Sequence, residues 1–108
     1  MTKSVKIIVH VPTTHTDEII QAMGDAGAGI IGNYSHCSFS SRGTGRFLPQ
    51  QGAQPAIGEV GTFEKVEEDR VEMTCNLRLV PDVVRAIKAV HPYEEPTYDI
   101  YERFEFTF

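Results

Sequence analysis

Apolar and polar positions alternate along four stretches of this chain and recur at helical spacing along two others. In "VKIIVHV" (residues 5–11) the β-branched residues predict a strand with Val5, Ile7, Val9 and Val11 on one face. Ile8 and His10 point the other way, and Pro12 ends the strand. "THTDEIIQAMGDAGAG" (14–29) predicts a helix. Ile19, Met23 and Ala26 recur at i, i+4 and i+7, Thr14 and Asp17 have capping-box-like spacing, and Gly27 or Gly29 is the stop. "NYSHCSFSSR" (33–42) alternates again, with Cys37 and Phe39 on one face and Tyr34, His36 and Ser38 on the other. "RVEMTCNLRL" (70–79) alternates most cleanly, with Val71, Met73, Cys75, Leu77 and Leu79 pointing in.

Between these two strands, "RGTGRFLPQQGAQPAIGEVG" is too long and too rich in glycine and proline for a tight hairpin. It predicts a loop excursion over 43–61, a kind of segment that often carries function. "PDVVRAIKAV" (81–90) predicts the second helix, with Pro81 in its first turn and Val83, Ile87 and Val90 as its buried stripe. Pro92 stops it, because a residue before proline is pushed out of the α region. In "TYDIYERFEFTF" (97–108), Tyr98, Ile100, Phe104, Phe106 and Phe108 share one parity. Glu102 falls on the same face, which calls for a bulge or a partner there.

The order strand, helix, strand, strand, helix, strand is the split βαβ pattern of a ferredoxin-like α+β sandwich, here one domain over residues 1–108. Two helices cover one face of a four-stranded sheet. The other face offers Ile8, Tyr34 and Tyr101, and the aromatic last strand is an unprotected edge. A homo-oligomer is therefore expected.

Charge narrows the partners. The net charge is −5, with four basic and three acidic side chains in residues 1–58 and six basic and twelve acidic in 59–108. No Lys/Arg cluster offers the footprint of a polyanion binder, so nucleic acid is not an expected partner. No apolar run approaches the ~18 residues that span a bilayer. "MTKSVKIIVHVP" lacks the apolar core and cleavage site of a secretory signal, and Cys37 and Cys75 make no disulfide framework. These features predict a cytoplasmic protein with both cysteines reduced, small and buried.

The chemistry-bearing stretch is His91-Pro92-Tyr93-Glu94-Glu95-Pro96. One reading makes it a rigid two-proline corner, with His91 capping the second helix, Tyr93 packed and both glutamates solvated. The sharper reading has His91 with Glu94 or Glu95 holding a divalent metal or a polar ligand at a subunit boundary. Tyr34, His36, Tyr93, Glu94 and Glu95 are the candidate ligand-binding residues, and His91 and Glu94 the candidate metal ligands. His36 and Cys37 are adjacent on a strand and leave opposite faces, so they do not share an ion. "EED" (67–69) reads as a solvated turn. Serine or cysteine nucleophile chemistry lacks a GxSxG elbow. "GAGIIG" (27–32) follows a helix and precedes a strand, the reverse of a dinucleotide fingerprint.

"AGAGIIGNYSHCSFSSRGTGRF", "GAQPAIGEVGTFEKVEEDRVE" and "HPYEEPTYDIY" together resemble the inserted middle domain of YqfO-type, Nif-three-like dinuclear-metal proteins. "HPYEEP" is also similar to the HPYEVPE-like segment of CutA, a divalent-cation-tolerance family, with Glu95 standing where valine is usual. The resemblance implies a PII/CutA-like fold, commonly trimeric. It implies no catalytic metal centre here, because that family carries its metal ions on flanking domains whose motifs this chain lacks. The expectation is a non-enzymatic module that senses or binds a small ligand or a divalent metal at subunit clefts, as a trimer in preference to a dimer. The alternatives are a metal-dependent hydrolase-like protein and an adaptor docking to a larger enzyme.

Overall fold

A computed structural model describes residues 3–106. Strands β1 (Ser4–Pro12), β2 (Phe39–Phe47), β3 (Glu64–Asn76) and β4 (Thr97–Arg103) form one antiparallel sheet in the order β2-β3-β1-β4. Helices α1 (Thr16–Asp25) and α2 (Val80–Val90) pack side by side on one face. This is the expected ferredoxin-like βαββαβ topology.

β1 is paired on both edges. Val5, Ile7 and Val9 sit opposite Cys75, Met73 and Val71 of β3. With Val11 they meet Ile19 and Met23 of α1 and Val83 and Ile87 of α2 in a single buried core. Burying each such side chain stabilises by roughly 1.5–3 kcal/mol relative to leaving it in water. Cys75 is in this core as expected, whereas Cys37 is only half-buried. No helix among the described residues is long and apolar enough to cross a membrane.

Several local expectations are corrected. Residues 33–38 are a turn, and β2 begins at Phe39. Ile31 and Tyr34 exchange backbone hydrogen bonds of 2.9 and 3.0 Å across the turn, and His36 has φ 58°, a left-handed conformation that ends an extended run. The His36 ring rests on Gly24 of α1, where a Cβ would lie 1.9 Å from its Cδ2 atom. Tyr34 therefore does not belong to the open sheet face. Ile8 does, but it is 5% exposed. Its neighbours in register, Glu72 and Asp99, flank it, with Phe39 beyond Glu72. Of the three residues expected on that face, Tyr101 is the one that is both on it and exposed.

The glycines of "RGTGRF" lie in β2, so the excursion is 48–63. β3 is longer at its start than the alternation suggested and stops earlier, because Leu77–Leu79 form a 3-10 turn with Leu77 exposed. β1 ends opposite Glu68, whereas β2 and β3 stay paired out to Phe47 and Glu64. A two-stranded arm therefore projects from the sheet, and the described chain measures 52 × 23 × 22 Å.

The first helix has no capping box. Thr13–His15 form a 3-10 turn, and no side chain caps the start of α1. Thr14 Oγ1 instead lies 2.7 Å from His15 Nδ1. Glu102 needs no bulge, since the β1–β4 register runs unbroken from Ser4↔Arg103 to His10↔Thr97. It has the expected partner in Lys3, at 3.8 Å. β4 ends at Arg103, Phe104 and Phe106 lie beyond it and are exposed, and Phe108 is outside the described residues.

The "EED" run is the largest departure, for it lies inside β3 with Glu68 and Asp69 buried. Asp69 is on the helix side, where Arg42 Nε–H donates to one carboxylate oxygen (2.8 Å) and the Thr16 hydroxyl to the other (2.7 Å). Arg42 first, then Thr16, hold the carboxyl below the usual carboxylate range. This cluster ties β2, β3 and the start of α1 together. Asp69→Ala should lower unfolding free energy by about 2 kcal/mol, the scale of charge-assisted hydrogen bonds to a partly buried group. A urea titration with an unchanged midpoint would contradict the assignment.

Candidate functional site

The corner after α2 is built from its first residue. His91 is extended (φ −70°, ψ 131°), and its backbone N–H still donates to Ile87 O at 2.8 Å. Pro92 forbids another helical turn. The ring of His91 is buried and bonded at both nitrogens. Nε2–H donates to the His10 carbonyl of β1 at 2.7 Å, and Nδ1 accepts from the Tyr93 backbone N–H at 3.1 Å. These partners select the neutral Nε2–H tautomer. Burial pushes the imidazole pKa below its ordinary value, against a smaller opposing effect from the His10 carbonyl.

This lock sets Tyr93. Its ring lies 5.0 Å from that of His91 and meets Phe47 of β2 edge-on at 5.8 Å. Its hydroxyl donates to Glu68 Oε2 at 2.6 Å. Burial, then the hydrogen bond to Glu68, drive the phenol pKa well above its ordinary value, so Tyr93 is a committed donor. Gly45 faces the Glu68 carboxylate from β2, where a Cβ would lie 2.1 Å from Oε1. The missing side chain leaves room for that oxygen. Glu94 reaches the excursion, its Oε1 accepting from the Gln54 backbone N–H at 3.1 Å.

The corner, the end of β2 and the returning loop enclose a cleft of about 620 Å³, within the range of small-molecule sites. Phe47, Pro49, Pro55 and Ile57 give it apolar walls, and Glu68, Glu94 and Glu95 line it with carboxylates. The structure thus brings Tyr93, Glu94 and Glu95 to one cavity, with His91 behind them as the residue that fixes the corner. A metal at His91 would have to displace one of two backbone partners. Among the described residues no three His, Cys, Asp or Glu side chains gather closely enough to share an ion.

Tyr34 and His36 do not line this cleft. Tyr34 is exposed on its turn. His36 is beside the C-terminus of α1, with Nε2 2.9 Å from Asp25 Oδ1 and Nδ1 2.9 Å from Ser35 Oγ. That contact, with Gln21 second, lowers the Asp25 pKa. Sequence reasoning missed Phe47 and Glu68 as site residues. Carrying the alternation of "RVEMTCNL" back past Arg70 puts Glu68 on the open face beside Val66, which is the signal that could have found it.

No family model matches the sequence. The chain is 51% identical over 96 residues to a Mycobacterium tuberculosis protein named GTP cyclohydrolase 1 type 2 homolog, covering 89% of this chain and 25% of that protein. It is 49% identical over 96 residues to the Bacillus subtilis protein of the same name, again 89% of this chain and 26% of the relative. The chain therefore spans about a quarter of the length of these relatives. Among solved structures, a Bacillus cereus protein related to NIF3 superposes with TM-score 0.84 at 47% identity, covering 96% of this chain and 26% of that one. CutA from Synechococcus elongatus (TM-score 0.69, 13% identity, 95% and 79% covered) shares the fold. So does Bacillus subtilis GlnK in its ATP complex (0.63, 15%, 95% and 84%).

The environment of His91 generates a pH test. Its folded-state pKa is depressed, so the stability it contributes is fully present above the unfolded value of about 6.5 and is lost as pH falls below it. Wild-type Tm should drop across that mildly acidic window. His91→Gln should be less stable at pH 7 and show a shallower drop. A variant with wild-type Tm at neutral pH and an unchanged slope would rule out the corner role.

Proposed function

We propose that this chain, which belongs to the NIF3-related family as a homologue of one PII/CutA-like segment, is a non-catalytic binding module that holds a small ligand in the cleft under the His91–Pro96 corner. The observation that carries this reading is a preformed cavity whose floor presents a buried carboxylate, Glu68, oriented by Tyr93. Preorganisation of this kind lowers the cost of binding. Both His91 nitrogens are engaged by backbone, which favours an organic ligand over a divalent metal.

Self-association is part of the same reading. The helices leave one sheet face uncovered, with Phe39 and Tyr101 exposed on it. The arm ends in exposed Leu48, Val60 and Phe63, and a lone two-stranded ribbon gains little stability by itself. A homo-oligomer, a trimer before a dimer in keeping with the CutA and PII resemblance, would cover these surfaces and bring a neighbour to the cleft. A cytoplasmic location completes the proposal. A second reading, a regulatory unit docked to a larger catalytic partner, is favoured by the chain's match to a quarter of its relatives' length. The activity in those relatives' name is not carried over, since three quarters of each is unmatched.

Native mass spectrometry of protein purified from its own host tests the proposal. The expected spectrum is a trimer that retains a small organic molecule. A bare monomer would overturn it.

A further inference from the structure

The chemistry of the cleft specifies more than its size. Glu68 is 8% exposed, and Tyr93 is the one hydrogen-bond partner of its side chain among the described residues. Since the Tyr93 hydroxyl occupies Oε2, Oε1 is the oxygen without a side-chain donor. It lies against Gly45, and it is reachable rather than sealed, since no fully buried side-chain nitrogen or oxygen among the described residues lacks a partner. A carboxylate oxygen held in place and open to the cleft can accept from a ligand that brings a donor, and most strongly from a charged one. The rim adds Glu94 and Glu95, against which the lining offers Arg46 as its basic side chain apart from His10. Phe47 and Tyr93, in edge-on contact, both line the cleft, and aromatic rings are a favourable neighbour for a cation. Pro49, Pro55 and Ile57 add apolar lining.

We propose that the cleft is selective for a small organic cation, an amidinium, guanidinium or amine on a flat apolar body, whose N–H groups donate to Glu68 Oε1. The inference rests on the reading of this cleft as a ligand site and names the class of ligand. Anionic ligands are disfavoured by the three carboxylates, and a neutral apolar ligand would leave Oε1 unpaired. The Tyr93–Glu68 bond acts as the positioning element: it holds the carboxylate in one rotamer while leaving the second oxygen for the guest.

Benzamidine and benzoate, alike in shape and opposite in charge, separate the outcomes. Each is titrated into the full chain while the NMR resonances of Thr44, Phe47 and Ile57 are followed. Benzamidine should shift them saturably, and benzoate should not. Glu68→Gln should weaken benzamidine by about tenfold or more, as expected when a charge-assisted bond is lost. Gly45→Ala keeps the charge but pushes Oε1 aside, and should give a comparable loss if Glu68→Gln fails to fold. Benzoate binding at these resonances without benzamidine binding would overturn the cation assignment and leave the cleft reading standing. Silence with both probes would overturn the two together. Benzamidine binding unaltered in Glu68→Gln or Gly45→Ala would also sink the proposal.

Discussion

The hydrogen-bond ladders on both edges of β1 govern where every other element can lie. β3 and β4 pair with it in antiparallel register over nearly its full length, so its side chains must alternate strictly between two faces. Val5, Ile7, Val9 and Val11 then define the face that α1 and α2 must cover. A slip of one residue would expose all four and bury Lys6 and His10. The helices have no comparable freedom: each follows a short 3-10 turn at the end of a strand and lays its apolar stripe onto this one surface.

The site follows from the same strand. α2 runs back across the sheet and must hand the chain to β4, which pairs with β1 starting at Thr97↔His10. The His91 ring ends this crossing on the carbonyl of His10, so the helix end is pinned to the point where β4 begins. Two prolines stiffen the six residues between, and Tyr93 is carried over the sheet edge to Glu68 on the open face. There β3 has outrun β1, and Gly45 on β2 makes room for the Glu68 carboxylate. The cleft is thus the place where a long hairpin, a stiff corner and a missing Cβ coincide.

The fold was legible where periodicity was strict. The alternation in "VKIIVHV" and the stripes Ile19/Met23 and Val83/Ile87 name residues that are in the core. Legibility failed where one conformational exception decided the outcome. The alternation in "NYSHCSF" resembles a strand, but the left-handed backbone at His36 and Gly32 turns it away from the sheet. Glycines 43 and 45 looked like loop, since glycine weakens strands on average, yet they sit in β2. Glu68 and Asp69 looked solvated because acidic runs are costly to bury; their partners, Tyr93, Arg42 and Thr16, come from segments 25 to 53 residues away in sequence. The corner itself could be read from its two prolines. What it touches could not.

The central claim is that the corner delivers Tyr93 onto Glu68 and so fixes a preformed cleft. A double-mutant cycle on chemical stability, using Tyr93→Phe, Glu68→Gln and the pair, reads that contact directly. The account predicts a coupling energy of about 1 kcal/mol or more between the two substitutions. Effects that simply add, within about 0.3 kcal/mol, would show that the two side chains do not meet and that the cleft is not built as described.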